Sequence, residues 1–131
     1  MPILDITIVG ERSSSRGLAQ SLADAAGAVL TPNRPGATWV RLHRLQSADY
    51  AENTRVEGER PVFVQLLAAR WPELRARETQ ARQLCQAVAA VCGRPPDNVH
   101  VIYEPPAAGR VAFGGRLVPP DAGSSAVLDQ P

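Results

Sequence analysis

The chain reads as an α/β protein of the α+β kind. Two fused β-α-β units give a four-stranded sheet with two helices on one face, plus a short C-terminal hairpin. Three observations predict this. Strand-like runs of branched and aliphatic residues alternate with stretches whose apolar residues recur at helical spacing. The alternation occurs twice at almost one spacing: Arg12 to Val40 is 28 residues and Arg70 to Val99 is 29. The whole chain has 131 residues, 44% of them hydrophobic, which suits one compact domain with a core. Its halves span about 2–45 and 61–118, with a linker over 46–60 and a mobile tail over 119–131.

Ile3 to Val9 has the composition of a strand. Gly10-Glu11-Arg12-Ser13 is a turn, and Ser13 or Ser14 can cap the helix that follows. Leu18, Leu22, Ala25, Ala26 and Val29 mark the apolar face of that helix, and Thr31-Pro32 ends it. Thr38 to Leu45 is the second strand. In the second unit Pro61 to Leu67 is a strand, Ala69-Arg70-Trp71 a turn, and Pro72 suits the first helical position. Leu74, Ala81, Leu84, Cys85, Val88 and Cys92 form the longer helical face, which Gly93 stops. Val99 to Tyr103 is the fourth strand. The paired glycines of Gly109-Arg110-Val111-Ala112-Phe113-Gly114-Gly115-Arg116-Leu117 predict a tight turn or bulge in a hairpin.

Right-handed crossovers put both helices on one side of the sheet. The Val, Leu and Trp residues of the strands predict that the other side is apolar and buried in an assembly.

Composition excludes several function classes. Net charge is +1, which offers no electrostatic footprint for nucleic acid or an anionic membrane. No apolar run is long enough to span a bilayer, and the N-terminus lacks the regions of a signal peptide, so the expected compartment is cytoplasmic. Cys85 and Cys92 fall seven residues apart on one helix, ~10 Å at its rise per residue. That is beyond the ~7 Å limit of a disulfide, so packing is their expected role. The two histidines are far apart and give no metal-site spacing. No metal or other cofactor is implied.

The candidate chemistry starts at Pro2. Initiator methionine is normally removed before a small residue, which would leave a secondary amine at the head of a strand. An α-amino group titrates at roughly 7.7–8.0 and suits proton transfer near neutrality. Many chains that begin Met-Pro use it for nothing. All basic residues besides the histidines are arginines, a side chain that grips carboxylates bidentately.

Several of these features together resemble the tautomerase superfamily, in particular its 4-oxalocrotonate tautomerase-like branch. They are Pro2-Ile3 through Gly10-Glu11-Arg12-Ser13, then Val40-Arg41-Leu42, and the hairpin from Gly109 to Leu117. The resemblance covers most of residues 2–118. It implies a trimer, because short members are single β-α-β units that form hexamers and this chain looks like two units fused. It also implies roles. Pro2 matches the catalytic base, Arg12 the turn arginine that binds the substrate carboxylate, and Arg41 the strand arginine that polarises the oxo or hydroxyl end. Arg70 repeats the turn position. His100 stands at the second strand-arginine place, and Pro61 is internal and one residue out of register. Tyr50, Val111 and Phe113 are the candidates for the apolar wall, and Tyr103 for a further substrate contact.

The function expected is tautomerisation of a small 2-oxo or 2-hydroxydienoate carboxylic acid. One base takes and returns the proton, and cations stabilise the carboxylate and the developing enolate. Two alternatives stand beside it. One is a proline-dependent hydratase, dehalogenase or decarboxylase of the same superfamily, with Tyr103 or Glu104 activating water. The other is a non-catalytic ferredoxin-like binding module, whose elements follow the same order.

Overall fold

The computed structural model describes residues 1–10, 16–55 and 60–120. Among these, the elements follow the predicted order: β1 (Ile3–Val9), α1 (Leu18–Leu30), β2 (Trp39–Leu45), β3 (Val62–Leu67), α2 (Leu74–Cys92), β4 (Val99–Tyr103), then β5 (Ala112–Phe113) and β6 (Arg116–Leu117). The large sheet has the order β2-β1-β3-β4. β1 and β2 run parallel, as do β3 and β4, while β1 and β3 meet antiparallel. The two strands of each unit are therefore direct neighbours. A ferredoxin-like split β-α-β would insert another strand between them, so the ferredoxin-like topology is excluded.

Period-two alternation decides which side chains meet the helices. Leu4, Ile6 and Ile8 of β1 and Val62, Val64 and Leu66 of β3 are buried under α1 and α2. The helices supply Leu22, Ala26, Leu84, Val88, Ala89 and Cys92. Cys85 and Cys92 are both free, and burial pushes both thiols up.

Three local expectations are corrected. The N-cap of α1 is Gly17, in the left-handed region and without a side-chain cap bond; Ser13 and Ser14 lie outside the described residues. Pro72 is not the first residue of α2. That helix starts at Leu74 because the Glu73 carboxylate accepts from the amides of Arg75 and Ala76, at 3.2 and 2.9 Å, and so fixes the start. Leu74 itself is exposed rather than part of the apolar face. The hairpin turns through Gly114 and Gly115, both at positive φ, as a two-residue loop with matching twist requires.

The sheet face opposite the helices is mixed rather than wholly apolar. Val40 and Leu42 of β2 fall on the helix side, and the outward positions carry Asp5, Thr7, Arg41, His43, Gln65 and His100 among Ile3, Trp39, Leu45, Phe63, Leu67 and Ile102. Asp5 is the hub. Arg41 donates to both its carboxylate oxygens, at 2.7 and 2.8 Å, and His43 Nε2 lies 3.1 Å from Oδ1. These residues, with Thr7, Arg44, Leu45 and Gln65, line an open depression of about 580 Å³. The Arg41 hydrogen bond holds the Asp5 carboxyl below the usual range.

Two predictions follow from this packing. Ile6 is fully buried on a central strand, so Ile6→Ala should cost about 2–5 kcal/mol in denaturant unfolding. A loss below 1 kcal/mol would mean that the site is not a packed core. Asp5 has a depressed folded pKa, so its pairing stabilises the fold above about pH 3.8, the ordinary value. That contribution is lost as pH falls through the lower folded value. The melting-temperature advantage of the wild type over Asp5→Asn should be level at neutral pH and shrink below pH 3.8. An advantage unchanged down to strongly acidic pH would contradict the pairing.

Candidate active site

Pro2 stands at the head of β1, half-buried, with three other segments around it. On one side its carbonyl accepts from the Trp39 amide at 3.0 Å, which ties it to the start of β2. On the other, Ile3 is paired with Leu67, so the antiparallel register carries Pro2 past the end of β3, where Ala68, Ala69 and Arg70 follow. The chain after β4 closes the third side. Ala107 and Ala108 donate to the carbonyls of Ala68 and Ala69, at 2.8 and 3.1 Å. The hairpin then crosses to β2, where Phe113 meets Trp39 edge to face, centroids 5.6 Å apart. Because β1 lies between β2 and β3, the start of β1 is bracketed by Trp39, Phe113 and the Ala68–Arg70 turn.

Of the sequence-based candidates, Pro2, Arg70 and Phe113 thus share one end of the sheet. Arg70 is exposed there. Val111 enters the hairpin at the same end, its amide bonded to the Ala107 carbonyl at 3.0 Å. Arg41 lies two residues further along β2 from Trp39, held by Asp5. Arg12 lies outside the described residues.

Tyr50 and Tyr103 are elsewhere. The Tyr50 hydroxyl donates to Glu52 at 2.6 Å and its ring lies 6.1 Å from Phe63, near the opposite end of the sheet. Tyr103 shares the inward parity of Val99 and Val101. Its hydroxyl sits against α2, 2.8 Å from Gln80 Oε1 and 3.3 Å from the Arg77 carbonyl, and burial raises its pKa. Glu104, by contrast, does stand at the Pro2 end. Its amide donates to the Leu66 carbonyl, its own carbonyl accepts from Trp71 Nε1, and its carboxylate accepts from Gln65.

The ladders also align the two halves. The inward pair Leu4↔Val40 corresponds to Val62↔Val99, so Arg41 corresponds to His100, and Pro61 falls at the place of Ile3. Pro61 is buried, and its carbonyl accepts from the Val9 amide at 3.1 Å. The His100 ring lies 5.6 Å from that of Phe63. The residue that sequence reasoning missed is Trp39. Its signal was available: it precedes Val40-Arg41 and shares the outward parity of Arg41 and His43. Among the described residues no group of three metal-ligating side chains occurs, and no helix is long and apolar enough to cross a membrane.

No family model matches the chain, and no curated protein does. Solved structures do. Native fused 4-OT superposes with a TM-score of 0.73 at 13% identity, over 88% of this chain and 95% of that one. A fused 4-OT solved as a symmetric trimer gives 0.66 at 23% identity, over 88% and 94%. FG41 malonate semialdehyde decarboxylase, inhibited by 3-bromopropiolate, gives 0.64 at 16% identity, over 86% and 88%. The fold of this chain is therefore the one it shares with fused 4-OT and with malonate semialdehyde decarboxylase.

Proposed function

We propose that the chain, once Met1 is removed, is a tautomerase that uses the Pro2 amine as general base on a small 2-oxo or 2-hydroxydienoate carboxylic acid. The observation that supports this best is the position of Pro2, at a strand head bracketed by an aromatic pair and by the turn that bears Arg70. The amine takes a proton from one carbon or oxygen and returns it to another. A guanidinium beside it binds the carboxylate and offsets the charge that develops on the enolate. The base is held at the head of a strand, so little of its position need change during the transfer.

Arg70 is the anion contact supplied by the same chain. Arg12 serves a neighbouring subunit's site, while Arg41 is held by Asp5 within its own chain. Gly10, the last described residue before Arg12, is eight positions along β1 from Pro2, roughly 26 Å at strand rise. One chain therefore cannot join its own two ends in one small-molecule site. The assembly that would join them is a homotrimer, as the symmetric-trimer fused 4-OT is. It works without a cofactor.

Glu104 favours a second reading. Its carboxylate stands at the Pro2 end and could activate water, with Pro2 acting as an acid, in a hydratase or decarboxylase. Malonate semialdehyde decarboxylase shares the fold.

Intact mass is the first test, because retention of Met1 blocks the amine and ends the proposal. In Met-free protein, Pro2→Ala should cut turnover of a 2-hydroxydienoate sharply without changing fold or assembly. Arg70→Ala should lower kcat/KM tenfold or more, about 1.5–3 kcal/mol for one lost charge-assisted contact. His100→Ala should stay near wild type. If His100→Ala proves the most damaging variant, the chemistry belongs to the other end of the sheet. Glu104→Gln separates the readings: tautomerisation should survive it, whereas hydration or decarboxylation should not. Sedimentation at micromolar concentration should give a trimer, and a monomer would remove the source of Arg12.

A further inference from the structure

We infer that Trp39 is the specificity-determining residue of this site, and that the site takes a carboxylic acid whose far end is aromatic or otherwise flat and apolar. The inference rests on the reading of Pro2 as the catalytic amine.

Trp39 is 41% exposed, an unusual state for so large an apolar ring. Its indole Nε1 donates to the Gly36 carbonyl at 3.0 Å, so its only polar group is already bonded within the chain. What the exposed part of the ring offers is hydrocarbon. Its backbone is fixed there by the bond from its amide to the Pro2 carbonyl, and its ring is fixed by Phe113 at an interplanar angle of 80°. An edge-to-face pair leaves one aromatic face free for a third ring.

Charge on this flank points the same way. Arg41, two positions further on the same strand face, would be the cation for a second carboxylate. Asp5 already holds it with two hydrogen bonds. A dicarboxylate with its second charge toward Trp39 would meet an indole and lose hydration without gaining a partner. An aromatic tail would instead exchange water for apolar contact at about 25 cal/mol per Å². At the position equivalent to Trp39 the second half of the chain has Asn98, which is 8% exposed and donates to the Arg60 carbonyl.

The test compares an aryl enol acid, phenylenolpyruvate, with a 2-hydroxydienedioate of similar length. Wild type should prefer the aryl substrate by tenfold or more in kcat/KM. Trp39→Ser should lose at least tenfold on the aryl acid and stay within threefold on the dicarboxylate, while Trp39→Phe should keep most of the preference. Equal losses on both substrates would overturn the inference and leave Trp39 as a support for the hairpin. A wild type that prefers the dicarboxylate would overturn it too, and would give this flank to Arg116, which pairs with Phe113 in the hairpin.

A binding measurement separates this inference from the catalytic reading. The protein has two tryptophans, so Trp71→Phe assigns the indole N–H signal of Trp39 in a nitrogen–proton spectrum. Saturable shifts with unreactive 3-phenylpropanoate, absent with glutarate, support the aromatic site even if neither substrate turns over. A Trp39 signal that ignores 3-phenylpropanoate overturns it even if the enzyme is active.

Discussion

The antiparallel pairing of β1 with β3 is the constraint on which the rest of the structure depends. Each β-α-β unit is internally parallel, and its helix crossover dictates that. Nothing within a unit dictates how two units join. Pairing Ile3 with Leu67 and Ile8 with Val62 sets them head to tail, so the start of the first strand meets the end of the third. Pro2 thereby shares one edge with Ala68–Arg70. A parallel seam would have placed Pro2 beside Pro61 and sent the Arg70 turn to the opposite edge. The seam is secured where it would otherwise fray. The Arg94 guanidinium donates to the Val9 carbonyl at 3.0 Å and also to that of Arg60, which accepts from Asn98 as well. These bonds satisfy carbonyls at strand ends, where the ladder stops.

A head-to-tail join of similar units would create two equivalent edges, but the residues make them unequal. Pro61 is inside the chain, so its nitrogen is an amide and cannot take a proton; its place is that of Ile3 in any case. At the strand-arginine position one half has Arg41 on Asp5, the other His100 against Phe63. At the position before the aligned valine one half has an exposed indole and the other a buried amide that serves the backbone. One edge has kept features suited to a ligand, while the other has been turned over to holding the seam.

Much of this was legible in the sequence, for reasons that differ from element to element. The strands and helices announced themselves because aliphatic runs and helical spacing are local properties, and Gly93 and the Gly114-Gly115 pair mark stops that few other residues allow. Parity also places Tyr103, since Val99, Val101 and Tyr103 alternate onto the helix side of the sheet. The direction of the β1–β3 seam had no local signal. Nor had the partner of Asp5, 36 residues away in sequence. The Gly17 cap was missed because serines are the commoner choice, and the start of α2 because Glu73 acts as its cap in place of the more usual short polar side chains.

The character of the outward sheet face depends on parity rather than on composition. The strands are rich in Val, Leu and Trp, yet on β2 Val40 and Leu42 point inward and Trp39, Arg41 and His43 outward. Burying such a face dry against a second copy would strip water from Asp5, Arg41 and His43, and that desolvation is repaid only by near-perfect pairing. Asp5 and Arg41 satisfy each other well, but His43 and Arg44 face the same depression, and among the described residues Asp5 is the only carboxylate lining it. In the trimer proposed above, subunits meeting across this face would gain most by leaving the depression wet and closing at its margins, where Trp39, Ile102 and Leu117 are exposed. Water retained over the polar centre would keep the ionic network solvated, while the apolar margin would drive association. The same margin contains the Trp39–Phe113 pair, so such an interface would form beside Pro2.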